Sequence, residues 1–114
     1  MSRQRSALIL ALSVCFCFGC QRETVDTRAQ DERAIRKADA ATLRAAQAKD
    51  VDGAVANYAE DGSWLPPNAP MVNGKVAIRA GWLKLIGSPG FNINWQIVKL
   101  EVGRAGDLAY TLYT

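Results

Sequence analysis

The chain has 114 residues, room for one small domain. It contains no histidine, and its three cysteines, Cys15, Cys17 and Cys20, all fall in an apolar N-terminal segment. Zinc sites built on Cys or His, a catalytic thiol and a Ser-His-Asp relay are thereby excluded, leaving any acid–base chemistry to carboxylates, tyrosines or lysines.

The charge carries no nucleic-acid signature. Setting aside Arg3 and Arg5 of the N-terminal segment leaves 12 of the 14 basic residues against 11 acidic ones. None of these form the clustered basic stripe that a nucleic-acid binder presents.

Residues 1–19 read as a secretory signal peptide. Arg3 and Arg5 give a positive start, and Ser6 to Gly19 form an apolar core too short to span a bilayer comfortably. The end of that segment, Cys17-Phe18-Gly19-Cys20, resembles the lipobox of bacterial lipoproteins through Gly19 and Cys20, while Cys17 and Phe18 depart from its usual residues. The resemblance implies lipidation of Cys20 and export to the cell envelope. Gln21 stands where a retention signal would show Asp, which implies the outer membrane if the cell has one. Residues 20–30 would then be the lipidated N-terminus followed by a polar, aperiodic tether.

A helix is expected over 31–49. Ala34, Ala38, Ala41, Ala45 and Ala48 recur at spacings of three and four, with Ile35, Thr42 and Ala46 beside them. Small side chains on such a face allow close packing or leave room for a pocket. Asp39 lies next to this face, either as a solvated carboxylate near Arg36 or as a carboxylate aimed into a cavity. Asp50-Val51-Asp52-Gly53 then turns the chain into a short helix over 54–59, with Asp52 as its N-cap.

Glu60, Asp61 and Gly62 stop that helix, and Ser63-Trp64-Leu65 forms a short strand ended by Pro66 and Pro67, which lack backbone donors. Asn73-Gly74 offers a cap for a third helix, whose apolar residues Val76, Ile78, Trp82, Leu85 and Ile86 follow at near-helical spacing until Gly87. Phe91, Ile93, Trp95 and Ile97 alternate on one face of a strand, and Val98, Leu100 and Val102 continue the alternation one residue out of phase. That slip predicts a bulge at Ile97-Val98. Gly103 to Gly106 makes a hairpin turn, and 107–114 begins the returning strand.

Five segments in this order resemble the NTF2-like superfamily, specifically its SnoaL-like and DUF4440 branch. They are Ala48-Lys49-Asp50-Val51-Asp52-Gly53-Ala54, Tyr58-Ala59-Glu60-Asp61, Pro67-Asn68-Ala69-Pro70, Gly74-Lys75-Val76-Ala77-Ile78-Arg79 and Gly106-Asp107-Leu108-Ala109-Tyr110. The resemblance covers 31–114 and implies an α+β cone: a bent antiparallel sheet wrapped by N-terminal helices, with a small-molecule pocket at its open end. Members of the family carry further strands after this point, so the resemblance also implies C-terminal strands missing from these residues. The strand over 107–114 is apolar on both faces, as an interior strand is, so residues 1–114 alone are not expected to form a stable monomer.

For this chain the resemblance implies a pocket lined by Tyr58, Trp64, Trp82, Trp95 and Tyr110, with Asn68 at its mouth. Large aromatics also serve as plain core, and Asn beside prolines also serves turns. Ketosteroid isomerases share this fold, and their catalytic pattern fails here. Pro66 occupies the place of their general-base aspartate, Thr42 lies near that of their oxyanion-hole tyrosine, and their second acid would fall at or beyond Thr114. Asp61, like Asp107, reads equally as the acceptor of an Asp-Gly turn.

The leading expectation is a cell-envelope domain that binds a small, mostly apolar ligand without an identifiable catalytic set. One alternative is a cyclase, isomerase or hydrolase using Asp39 or Asp61 with a tyrosine; another is a dimerisation module pairing through its sheet. No metal or other cofactor is expected. The expected partners are a small molecule, a membrane reached through the lipid, and a second copy of the chain, with no nucleic acid.

Overall fold

A computed structural model describes residues 25–114. The chain forms helix α1 (Arg28–Gln47), helix α2 (Val51–Val55), strands β1 (Ser63–Trp64) and β2 (Val72–Asn73), helix α3 (Lys75–Ile86), and strands β3 (Ile97–Val102) and β4 (Ala109–Tyr113). The expected signal segment, the lipidated Cys20 and the start of the tether lie outside the described residues.

Helix α1 begins at Arg28, inside the stretch expected to be tether. The Thr27 hydroxyl donates to the Asp31 carboxylate at 2.6 Å, so the first turn is fastened and an acid sits where the helix dipole favours one. Only part of the alanine stripe packs, through the half-buried Ala38 and Ala45. Ala34, Ala41 and Ala48 are exposed, whereas Ile35, Ala38, Asp39, Thr42 and Ala46 are half-buried or buried. The helix is thus turned slightly from its expected phase, because the larger Ile35 and Thr42 lie to one side of the alanines and set the contact. Asp39 is therefore on the packed stripe itself.

The helix ends with Lys49 in the left-handed region at φ 61°. Asp50 N–H donates to Ala45 O at 2.8 Å and Lys49 N–H to Ala46 O at 3.0 Å, the paired bonds of a Schellman turn. Helix α2 starts earlier than expected and is capped by Asp50, whose Oδ1 accepts from Gly53 N–H at 3.0 Å. Asp52 points outward to Arg79 at 2.8 Å. A Cβ on Gly53 would stand 2.7 Å from the Ala45 Cβ, so glycine is what lets α2 lie this close to α1.

Val51, Ala54 and Val55 of α2 join Ala46 of α1 and Ile78, Trp82 and Ile86 of α3 in one core, with Trp64, Phe91 and Ile93 packed against it. Strands β1 and β2 pair antiparallel, Ser63 with Asn73 and Trp64 with Val72. Asn73 therefore belongs to a strand, where it accepts from the Ser63 hydroxyl at 2.8 Å, and Gly74 at φ 83° holds the N-cap position of α3. Leu65 is outside the strand and 72% exposed.

Strands β3 and β4 form a second antiparallel pair, and α1 packs on β3. The register slips between Ile97 and Lys99, which places the bulge at Val98 as expected. Its effect is to keep Ile97, Leu100 and Val102 all on the inner side while Val98 and Lys99 face outward. Regular pairing spans less than the alternation suggested. Gln96 exchanges backbone bonds with Thr114 at 3.0 and 3.1 Å, and 91–95 has no ladder partner among the described residues.

Candidate functional site

The stripe of α1 and the hairpin meet over a pocket of about 410 Å³. From α1 come Ile35, Ala38, Asp39 and Thr42; from α2 and the segment after it come Ala54, Asn57 and Tyr58. Trp82 of α3, Trp95 before β3 and Tyr113 of β4 complete the lining. Ala38 and Ala54 supply the space, since any longer side chain at either position would fill part of it.

Chain pairing sets the aromatic corner. Ile97 is opposite Tyr113 in the ladder, so Trp95 and Tyr113 fall side by side, their rings 6.3 Å apart and nearly perpendicular at 80°. Both donate to one carboxylate. Trp95 Nε1–H reaches Asp39 Oδ1 at 3.1 Å and Oδ2 at 3.2 Å, and the Tyr113 hydroxyl reaches Oδ1 at 3.0 Å. Burial raises the Tyr113 phenol above its ordinary pKa, and the adjacent Asp39 adds to the rise, against a lowering contact with Thr111.

Two other polar lining residues, Thr42 and Asn57, bond to one another. Asn57 Nδ2 donates to Thr42 Oγ1 at 3.0 Å, and Thr42 Oγ1 donates to Ala38 O at 3.1 Å. Arg36 pairs with Glu32 at 2.9 Å rather than with Asp39. Among the described residues Asp39 has no salt-bridge partner, and no basic side chain lines the pocket. Nor does any group of three or more Cys, Asp or Glu converge as a metal set among them.

The structure thus brings Asp39, Tyr58, Trp82 and Trp95 together and leaves the other expected residues elsewhere. Trp64 stacks on Trp82, centroids 5.6 Å apart and 18° from parallel, but lines a separate open groove of about 650 Å³ with Pro66, Pro67, Pro70 and Met71. Asn68 is an exposed turn residue at φ 56°, outside both concavities. Tyr110 is 45% exposed on the outer face of β4, where the Lys99 ammonium lies 5.6 Å from its ring. Asp61 is exposed in its turn, and Pro66 belongs to the groove, so neither brings a carboxylate to the pocket.

Tyr113 takes the place expected of Tyr110. The side-chain period of two puts Ala109, Thr111 and Tyr113 on one face and Leu108, Tyr110 and Leu112 on the other. The sequence makes both faces apolar. Half-burial of Ala109 and Thr111 against exposure of Leu108 and Leu112 shows which one turns inward. A register count from the bulge, pairing Ile97 with Tyr113, is the signal that could have found it.

Among solved structures, the chain is similar to an NTF2-like protein of unknown function from Pseudomonas putida KT2440. The two are 29% identical with a TM-score of 0.59, over 71% of this chain and 58% of that one. The chain therefore spans little more than half the length of that neighbour. No family model matches the chain, and no curated protein does. With helices α1 to α3 packed on antiparallel strands around a pocket, and with that neighbour, the chain has an α+β fold of the NTF2-like type.

Proposed function

We propose that this domain binds a small, mostly apolar molecule in the pocket, with Asp39 as its polar anchor. The observation that carries the reading is one carboxylate, fixed by Trp95 and Tyr113, set in a lining otherwise dominated by aromatic and aliphatic side chains. The volume of about 410 Å³ lies within the ordinary range of small-molecule sites, on the order of 300–1,000 Å³. The five sequence motifs support placing the domain in the SnoaL-like and DUF4440 branch, and Gly19-Cys20 after an apolar core supports an exported, lipid-anchored protein of the cell envelope.

An enzymatic role of the cyclase, isomerase or hydrolase kind would rest on Asp39 with Tyr113, since Asp61 is exposed in a turn and is not among the lining residues. Pairing of two copies is favoured by a different observation. The outer face of the β3–β4 ribbon exposes Val98 at 59%, Leu108 at 74% and Leu112 at 51%, a larger apolar display than scattered surface residues require.

The pocket reading is tested with 2-naphthol, an apolar probe carrying one hydroxyl, followed by tryptophan quenching. Saturable binding should be lost in Ala38→Phe, which fills the pocket, provided that variant still melts cooperatively. Unchanged binding in a folded Ala38→Phe protein would place the probe elsewhere and remove the support for this site.

A further inference from the structure

We infer that the pocket selects an apolar organic cation, a quaternary or fully alkylated ammonium carried on a hydrocarbon body, over uncharged molecules of the same shape. This inference rests on the pocket-binding reading and adds the ligand's charge.

Tyr58, Trp82, Trp95 and Tyr113 contribute four aromatic rings; among the described residues Asp39 contributes the only ionisable lining group besides the two phenols, and no Lys or Arg lines the pocket. Ring faces carry the negative part of the aromatic quadrupole, so a face turned to the pocket attracts a desolvated cation. Two of the rings, Trp95 and Tyr113, stand at 80° to one another and form a corner with Asp39 bonded to both.

Among the described residues Asp39 is held without a counter-charge. Its hydrogen bonds come from an indole N–H and a phenol O–H, which satisfy lone pairs but leave the negative charge uncompensated. Lys37, the nearest basic residue in sequence, is exposed and outside the lining, and Arg36 is held by Glu32. A neutral apolar ligand entering the pocket would strip water from a carboxylate without offering a counter-charge, which is costly. A cation removes that penalty and gains the ring faces besides. Burial holds the Tyr113 phenol above its ordinary pKa, and Asp39 adds to the rise.

Two isosteres separate charge from shape: 4-(trimethylammonio)benzyl alcohol and 4-tert-butylbenzyl alcohol, titrated into the full chain by calorimetry. The cation should bind on the order of tenfold more tightly, and Asp39→Asn should bring the two affinities close together. If the uncharged isostere binds as well as the cation or better, the charge inference is wrong and the pocket reading stands. If neither binds at millimolar concentration, both readings fall. Should Asp39→Asn fail to fold, the comparison of the two isosteres on the parent protein decides the matter alone.

Discussion

Asp39 of α1 and Tyr113 of β4, 74 positions apart in the chain, are joined by a 3.0 Å hydrogen bond from the phenol to the carboxylate. The bond ties the last strand to the first helix across the pocket, so it couples the shape of the site to the docking of the hairpin. Removing the hydroxyl with Tyr113→Phe should cost about 0.5–1.5 kcal/mol, toward the lower end because the tyrosine is 48% exposed. Chemical denaturation measures it.

The same tyrosine gives a pH dependence. Its pKa in the folded protein is raised above the ordinary 10.0, so the folded state holds the proton more tightly than the unfolded one. The associated stability is fully present below the unfolded value and is lost as pH rises through the folded value. The parent should therefore lose stability above pH 10.0 more steeply than Tyr113→Phe. Parallel melts across that range would remove the raised phenol from the account.

Trp82 is 5% exposed at the centre of the helical core, and its Nε1 is buried with no hydrogen-bond partner among the described residues. Trp82→Ala should cost about 3–5 kcal/mol through the cavity it leaves. Trp82→Phe should cost under about 2 kcal/mol, because it keeps a ring against Trp64 and removes an unpaired donor. Equal losses from the two would mean that the indole N–H is satisfied after all.

Gly81 sits under the Trp64 indole, and a Cβ there would stand 2.7 Å from Trp64 Cζ3. Gly81→Ala sets a helix-propensity gain of about 1 kcal/mol against overpacking of about 1–3 kcal/mol, and overpacking should win. In a Trp64→Ala background the clash is gone, so the same change should stabilise. A sign that stays the same in both backgrounds would show that the glycine has no part in seating Trp64.

The lipoprotein reading makes a prediction outside the domain. Cys20→Ser, at the proposed acylation site, should move the protein from the membrane fraction to the soluble one, since a lipid there would supply the anchoring energy. Membrane retention equal to the parent's would contradict it.

Much of this fold is legible in the sequence because its punctuation is local. Gly87 followed by Pro89 ends α3 where expected, and the one-residue slip in hydrophobic alternation gives away the bulge at Val98. The site is less legible because it depends on phase. Alanine at 34, 38, 41, 45 and 48 draws a stripe that is regular but too weakly hydrophobic to choose its own side; Ile35 and Thr42 choose it, and the resulting turn carries Asp39 inward. Leu108, Tyr110 and Leu112 look like an inner face by composition, yet they lie outward. Helix capping failed similarly, with Asp50 and Asp52 both plausible by residue type and separated only by which one faces Gly53 N–H.

The most direct test of the pocket as a ligand site is to follow the tryptophan indole N–H signals by NMR while 2-naphthol is added. Trp95 donates its indole N–H to Asp39 inside the pocket, whereas Trp64 lines the separate groove. A ligand in the pocket should give a saturable shift of the Trp95 signal, abolished in Ala38→Phe, with Trp64 little affected. A saturable shift confined to Trp64, or none at any indole, would contradict it.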